Sequence, residues 1–124
     1  MLLVENLLEL VLPSNVSSIA ALAFCNCSSL TSIALPQELT HIEEGVFACC
    51  ENLIGVTLPE GLVGIGAEAF ADCTNLKDIK IPYGVTSIGR EAFTNCDNLT
   101  HITIPDSVIH IGENAFTGCP HVKL

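Results

Sequence analysis

Five of the six prolines divide the sequence at a constant interval of 23 residues. An isoleucine column keeps the same interval. An interval this strict indicates one supersecondary unit copied head to tail, so the sequence predicts a repeat solenoid rather than a compact globule. The two columns comprise Pro13, Pro36, Pro59, Pro82 and Pro105, and Ile19, Ile42, Ile65, Ile88 and Ile111.

Phenylalanine and cysteine form two further columns at the same interval. If neighbouring coils lie about 4.8 Å apart, rings stacked one per coil fall near the offset-stacking range of about 4.5–7 Å between centroids. The same spacing brings cysteine Cα atoms within disulfide range, but a line of parallel side chains does not converge as tetrahedral zinc requires. We therefore interpret both columns as buried structural ladders. They comprise Phe24, Phe47, Phe70, Phe93 and Phe116, and Cys27, Cys50, Cys73, Cys96 and Cys119.

The 124 residues are predicted to form a single repeat domain. Its units are a partial repeat 1–12, full repeats 13–35, 36–58, 59–81 and 82–104, and an incomplete final repeat 105–124. Because each repeat shares its core with its neighbours, no repeat is expected to fold alone. Both ends fall inside a repeat, which leaves open a piece of a longer array or open ends that pair with another copy.

Each repeat closes with a short alternation of apolar and other residues, as at Leu76, Ile79 and Ile81. This alternation predicts a half-buried strand, which the following proline terminates because it has no N–H to donate. A return path of constant length follows every strand. We therefore expect the strands to align in parallel, one per coil.

The apolar spacing changes between Ile88 and Phe93. It predicts a short helical or 3-10 turn, with Glu44, Glu68 and Glu91 facing solvent. We expect close packing, rather than positive φ, at the glycines that follow three of the isoleucines, since alanine or glutamate holds that position in other repeats. These glycines are Gly66, Gly89 and Gly112.

The repeat also carries the motif of a known family. The pattern Leu-x-x-Ile-x-Leu/Ile-Pro, followed by Val/Leu-x-x-Ile-x-x-x-Ala-Phe-x-x-Cys, extends from Val4 to Val122. It resembles the 23-residue, BspA-like class of leucine-rich repeats of bacterial and protist surface proteins. The resemblance implies a right-handed, gently curved coil. Short parallel β-strands, one per repeat, would form its concave face, with short helical or 3-10 turns opposite. It also implies adhesion or protein binding at the cell surface or after secretion.

Composition excludes several other classes of function. The formal net charge of −10 makes nucleic acid an unlikely partner, because phosphate binding needs clustered cations. No apolar run is long enough to span a membrane, so membrane insertion is not expected. The apolar segment Met1 to Leu12 contains Glu5 and Glu9 and lacks a basic start, so no signal peptide is predicted. We expect no enzymatic activity, cofactor or metal site, because no catalytic or metal-binding motif occurs.

The predicted binding face consists of the outward positions of the strands. These positions differ from repeat to repeat while their neighbours stay constant, as a recognition surface or drift at solvent positions would produce. The predicted partner is a protein of unknown identity. A third variable column, Leu8, Thr31, Ile54, Lys77 and Thr100, begins the strands. The candidate residues are Ser32, Ala34, Gly55, Thr57, Asp78, Lys80, His101 and Thr103.

Three polar features leave alternatives open. Lys77, Lys80 and Arg90 form a mildly basic stretch that suits an acidic partner segment, although scattered charge is the favoured explanation. His101 lies one coil after Asp78, which predicts a weak surface ion pair. The off-phase thiols Cys25 and Cys49 fall in adjacent coils, so a disulfide between them is a hypothesis that free-thiol titration can reject.

Two rival functions remain beside protein binding or adhesion. The first is a structural or assembly segment whose open ends stack into a homo-oligomer. The second is a scaffold segment attached to an enzyme elsewhere in a longer polypeptide.

Overall fold

A computed structural model describes residues 9–122 of the chain. Residues 1–8 lie outside the described residues. They include Leu8 of the third variable column and most of the segment in which no signal peptide is predicted. The described residues contain no helix that is long and apolar enough to cross a membrane. In chain order the strands are β1 (Glu9–Val11), β2 (Ser32–Ala34), β3 (His41–Ile42), β4 (Gly55–Thr57), β5 (Gly64–Ile65), β6 (Asp78–Lys80), β7 (Ser87–Ile88), β8 (His101–Thr103) and β9 (His110–Ile111).

The strands form two parallel sheets that run the length of the coil. The long-strand sheet has the order β1-β2-β4-β6-β8, and the short-strand sheet has the order β3-β5-β7-β9. In the long-strand sheet Ile33 pairs with Val56, and Val56 pairs with Ile79. Each pair is one repeat apart, which confirms the prediction of a parallel sheet that takes one such strand from each coil. The short-strand sheet is a feature that the sequence did not predict.

Proline ends each long strand and begins the next bend. Leu35, which follows β2, still donates its N–H to the carbonyl of Thr57 at 3.0 Å. Pro36 has no N–H, so the ladder stops there. Its carbonyl instead accepts the N–H of Leu39 at 3.2 Å, which closes a turn. Pro59 and Pro82 accept equivalent bonds from Leu62 and Val85.

The predicted helical or 3-10 turn is absent from the described residues, and consecutive β-turns take its place. One turn is closed by the bond from the N–H of Ala71 to the carbonyl of Glu68 at 3.2 Å. The intervening N–H of Phe70 points along the coil axis to the carbonyl of Ala92 at 2.7 Å. Because alternate N–H groups bond to the next coil, they are not available for the local ladder that a helix requires.

These turns place two columns of residues at positive φ. The first column includes Glu68 at 57° and the second includes Asp72 at 60°. Several repeats fill these positions with glycine or asparagine, the residues for which a left-handed backbone carries the smallest penalty. Of the three glutamates predicted to face solvent, Glu44 is exposed, whereas Glu68 and Glu91 are half-buried. The first column is Leu22, Gly45, Glu68, Glu91 and Asn114, and the second is Asn26, Cys49, Asp72, Asn95 and Gly118.

The glycines after the isoleucines lie where two coils touch. A Cβ atom on Gly89 would stand 2.5 Å from the nitrogen of Ala67 and 2.6 Å from the carbonyl carbon of Gly66. Gly66 itself faces the backbone of Glu43 in the same way. Neither Gly66 nor Gly89 has a positive φ. The expectation of close packing is therefore confirmed.

One continuous apolar core fills the space between the sheets and the turns. It contains the inward residues of both sheets, the leucine column and the middle phenylalanines, and none of the described polar or charged side chains is buried in it. The side chains of Phe47, Phe70 and Phe93 are fully buried. Phe24 and Phe116, in the outer coils, are only partly buried.

Candidate functional site

The outward side of the long-strand sheet is the candidate binding surface. We call it the strand face and define it by the eight residues predicted from the sequence. Strand alternation produces it, because Ile33, Val56 and Ile79 point into the core and their neighbours point outward. Gly55 is half-exposed and the other seven are exposed. The strand face comprises Ser32, Ala34, Gly55, Thr57, Asp78, Lys80, His101 and Thr103.

Registered pairing arranges these residues in two rows along the coil axis. The first row runs from Ser32 through Gly55 and Asp78 to His101. The second row begins with Ala34 and Thr57. Its later members, Lys80 and Thr103, pair with each other. Because neighbouring rows and coils hold constant positions, the strand face is a rigid grid whose eight positions carry seven different residue types.

The strand face contains shallow depressions rather than a deep cavity. A depression of about 350 Å³ lies over the early coils and is lined by Val11, Ala34 and Thr57, among others. A second, of about 280 Å³, is lined by Asp78, Ile79, Lys80, His101 and Thr103. Open depressions of this kind suit the side chains of an extended partner segment better than an enclosed small molecule.

The charges of the strand face differ from those of the whole chain. Among the outward residues of β2, β4, β6 and β8, Asp78 is the only carboxylate. Lys80 lies on this surface, and Lys77 is exposed at the start of the same strand. Since the net charge of the chain is −10, most of its acidic side chains stand on other parts of the surface. Two of the four Lys and Arg residues of the chain, Lys77 and Lys80, thus lie on or directly before β6, beside the single carboxylate of Asp78.

The predicted ion pair between Asp78 and His101 does not form, although the two residues are register partners. The ring nitrogen Nδ1 of His101 instead lies 2.9 Å from the hydroxyl Oγ1 of Thr100. Within residues 9–122 a single ion pair forms, between Arg90 and Glu91 at 3.0 Å. A local hydroxyl thus replaces the cross-coil carboxylate as the partner of this imidazole.

The phenylalanine column is a continuous stack. Phe70 lies 5.4 Å from Phe47 and 5.3 Å from Phe93, measured between ring centroids, with interplanar angles of 11° and 8°. Phe24 and Phe116 extend the stack at each end, at 5.7 and 5.3 Å. These distances are typical of offset aromatic stacking.

The cysteine column supplies hydrogen bonds between coils. The thiol of Cys73 donates to the carbonyl of Phe47 at 3.1 Å, and the thiol of Cys96 donates to the carbonyl of Phe70 at 3.2 Å. The carbonyl of Phe47 also accepts the N–H of Cys50. Each such carbonyl therefore uses both lone pairs, which gives a physical reason for a small residue with a donor at this position.

Burial keeps the thiols of Cys50 and Cys73 protonated. Desolvation raises the pKa of Cys50 to about 12, and it raises the pKa of Cys73 further. A neutral thiol is a poor nucleophile and a poor metal ligand. In the described part of the chain, no group of three or more His, Cys, Asp or Glu side chains is placed to hold a metal ion.

The two off-phase cysteines do not form the disulfide left open by the sequence. Cys25 and Cys49 are both free and half-buried. Burial, followed by the nearby Asp72 carboxylate, raises the pKa of Cys49. The sulfur of Cys49 lies 3.8 Å from Oδ2 of Asp72.

A column of asparagines, which the sequence analysis did not identify, also joins the coils. The side-chain amide of Asn75 donates to the carbonyl of Glu51 at 2.9 Å, and that of Asn98 donates to the carbonyl of Thr74 at 2.8 Å. Asn52 makes the equivalent bond to Ser28. The signal was present as a recurring asparagine two residues after the cysteine column.

This architecture is that of a leucine-rich repeat solenoid. Residues 4–123 match the BspA type leucine rich repeat region in 6 copies. The chain therefore belongs to the BspA-type leucine-rich repeat family, which confirms the resemblance seen in its motifs. Comparison with curated proteins gives no significant match.

Several solved structures share the fold. A leucine-rich repeat protein of T. pallidum is 33% identical, with a TM-score of 0.89, over 93% of this chain and 56% of that one. One from Bacteroides ovatus is 30% identical, with a TM-score of 0.76, over 93% and 36%. A leucine rich cell surface protein from Faecalibacterium prausnitzii is 25% identical, with a TM-score of 0.60, over 95% and 47%. The chain thus spans between about a third and somewhat over half the length of these proteins.

Proposed function

We propose that the chain is a non-enzymatic protein-binding or adhesion module that receives an extended segment of a partner on its strand face. The observation that supports this most directly is the contrast between the two sides of the long-strand sheet. Inward positions repeat Ile33, Val56 and Ile79, whereas the outward positions change in charge, size and polarity from coil to coil. A fixed scaffold with variable outward residues is suited to recognition.

The rigidity of the grid favours binding. Its backbone is held by parallel pairing on both sides of each inner strand, so little conformational entropy is lost when a partner docks. The exposed side chains also include hydroxyl, carboxylate, amine and imidazole groups, as at Thr57, Asp78, Lys80 and His101. Such a mixture can satisfy the backbone and side-chain polar groups of a peptide.

We further propose a location at the cell surface or in the secreted fraction. Support comes from the F. prausnitzii relative, which is described as a leucine rich cell surface protein. Surface biotinylation of intact cells that produce the parent protein tests the location. Labelling only after lysis would contradict it.

A crosslinking pull-down tests the docking surface. The variant carries Thr57→Glu, Asp78→Lys and Lys80→Glu, which change the charge of three exposed strand-face residues. We expect the loss of the crosslinked partner that the unchanged chain recovers. Equal recovery from both proteins would reject the strand face as the docking surface.

A matched control makes the same kinds of substitution away from the strand face. It carries Thr86→Glu, Arg90→Glu and Glu113→Lys, all at exposed positions. We expect this control to recover the partner as well as the unchanged chain does. Loss of recovery from the control alone would place the interaction on the short-strand sheet or the turns.

The last described coil favours a second candidate, end-to-end stacking of copies. Ile111 is 45% exposed. A depression of about 340 Å³ there is lined by Ile111, Ala115, Phe116 and Val122, among others. A further coil of the same kind would cover this apolar surface. Light scattering over a range of concentrations tests the candidate, because a constant monomer mass contradicts it.

A further inference from the structure

The outward surface of the long-strand sheet, which comprises the strand face and the flanking residues Val11, Ile54 and Lys77, differs in chemistry along the coil axis. Exposed apolar side chains lie over the early coils: Val11 is 81% exposed, Ile54 is 47% exposed, and Ala34 is exposed between them, with Ser32 exposed beside them. In the coil of β6 the two columns that contain Ala34 and Ile54 carry lysine. Ala34 is followed one coil later by Thr57 and two coils later by Lys80, and Ile54 is followed directly by Lys77. Lysine thus enters both columns at the same coil, one coil after Thr57 and Ile54.

The pair of lysines is available to an external partner. Neither Lys77 nor Lys80 has an ion-pair partner among residues 9–122, and both side chains are exposed. Lys80 borders two depressions, one shared with His101 and Thr103 and the other shared with Thr57. Asp78 lines both depressions and Glu60 lines the second, and neither carboxylate forms an ion pair with these lysines. Two unpaired ammonium groups on an acidic chain are an electrostatic target for carboxylates.

The spacing between the apolar and cationic positions sets the length of a matching ligand. Ala34 and Lys80 are two coils apart, a distance of about 10 Å at the usual strand spacing. An extended peptide covers this distance in about three residues. A peptide that runs along the coil axis can therefore place an apolar side chain over Ala34 and a carboxylate beside Lys80.

We propose that the partner of the strand face is an extended protein segment that is apolar at one end and acidic at the other. This inference rests on the proposed function and adds the chemistry of the ligand. The apolar side chain occupies the depression lined by Val11, Ala34 and Val56, whose lining also contains the polar side chains of Ser32, Thr57 and Asp78. The carboxylates lie beside Lys77 and Lys80.

The probe is a fluorescein-labelled peptide of about eight residues, long enough to span the five coils of the sheet. It carries two leucines near one end and two glutamates about three residues further on. The control peptide has glutamine in place of both glutamates. We expect fluorescence anisotropy to give a dissociation constant about tenfold lower for the acidic peptide. We also expect added salt to narrow this difference, because the ammonium groups are exposed.

Two pairs of chain variants locate the binding. Lys77→Glu with Lys80→Glu reverses the two cationic positions, and Arg90→Glu is its control at an exposed position elsewhere. Ala34→Glu adds charge among the exposed apolar side chains. Its control is Ala21→Glu, at a turn position where the next repeat has glutamate. We expect the strand-face variants to weaken binding about tenfold or more, and the controls to leave it unchanged. Matching circular dichroism spectra establish that every variant is folded.

Selection of displayed random peptides on the unchanged chain separates failure of this inference from failure of the proposed function. Neutral peptides that lose binding with Ala34→Glu overturn the acidic ligand but keep the strand face as the docking surface. Selected peptides that bind all strand-face variants equally overturn both. Failure to select any peptide, or a chain that binds only its own copies, also overturns the inference. If the chain binds a sulfated polysaccharide more tightly than the acidic peptide, the inference is also overturned.

Discussion

Replacement of Phe70 by alanine tests the stacked core. The Phe70 ring is fully buried and has a stacked ring on each side, at 5.4 and 5.3 Å. Its removal loses buried apolar area and two stacking contacts, and it leaves a cavity that two registered sheets cannot easily collapse. We expect the free energy of unfolding to fall by about 3–5 kcal/mol.

The matched control is Phe116→Ala in the last described coil. Phe116 is partly buried and stacks on Phe93 within the described residues. We therefore expect its truncation to lower the free energy of unfolding by about 2 kcal/mol. Urea unfolding followed by circular dichroism measures both variants. A loss below about 1 kcal/mol for Phe70→Ala, or equal losses for the two variants, would refute the assignment of Phe70 to a close-packed central stack.

Three further changes test the packing, the turns and the thiols. Gly89→Ala places a Cβ against the backbone of the preceding coil. It should therefore lower the free energy of unfolding by about 1–3 kcal/mol. Its control is Gly55→Ala, which has open space around the added Cβ and should change the free energy of unfolding by less than about 0.5 kcal/mol. Equal thermal stability of these two variants would contradict the close coil contact. Glu68→Gly removes the backbone strain of a side chain held at a positive φ of 57°, so it should raise the free energy of unfolding by about 1 kcal/mol. A loss of stability would contradict this and would show that the glutamate side chain stabilises the fold by more than its backbone strain costs. A chromogenic disulfide reagent should react first with Cys25 in the native chain and more slowly with Cys49, whose pKa is raised by burial and by Asp72, and it should react with seven thiols after unfolding. Fewer than seven reactive thiols after unfolding would indicate a disulfide.

The period predicted the long-strand sheet because it constrains every coil in the same way. Once each strand is followed by a return path of constant length, Ile33 can pair only with its equivalents one repeat away, such as Val56. The same argument predicted the phenylalanine stack and the close contact at Gly89. These features depend on spacing alone, which the sequence contains in full.

The turns opposite the long-strand sheet could not be assigned from apolar spacing. The interval from Ile88 to Phe93 is compatible with a helix, but the N–H of Phe93 bonds to the carbonyl of Ala115 in the next coil at 2.8 Å. This tertiary bond is invisible in a single repeat. A local clue was the recurrence of glycine and asparagine at the two positive-φ columns, for example Gly45 and Asn95.

The candidate site was predictable only as a surface. Alternation identifies which residues point outward, as at Asp78 and Lys80, but it does not give their partners. The pairing of His101 with Thr100 depends on side-chain rotamers, and the period does not determine them. The change from apolar residues to lysine along the outward surface of the long-strand sheet was visible in the columns, but its meaning required the exposure of Val11 and Lys77.

Nuclear magnetic resonance of the isotopically labelled chain, titrated with the apolar–acidic peptide, tests the central claim most directly. The claim is that recognition takes place on the outward side of the long-strand sheet. We predict that amide shifts change in β2, β4, β6 and β8 and that the short-strand sheet and the turns stay constant. Shift changes confined to β3, β5, β7 and β9, or to the turns that hold Glu68 and Asp72, would contradict the claim.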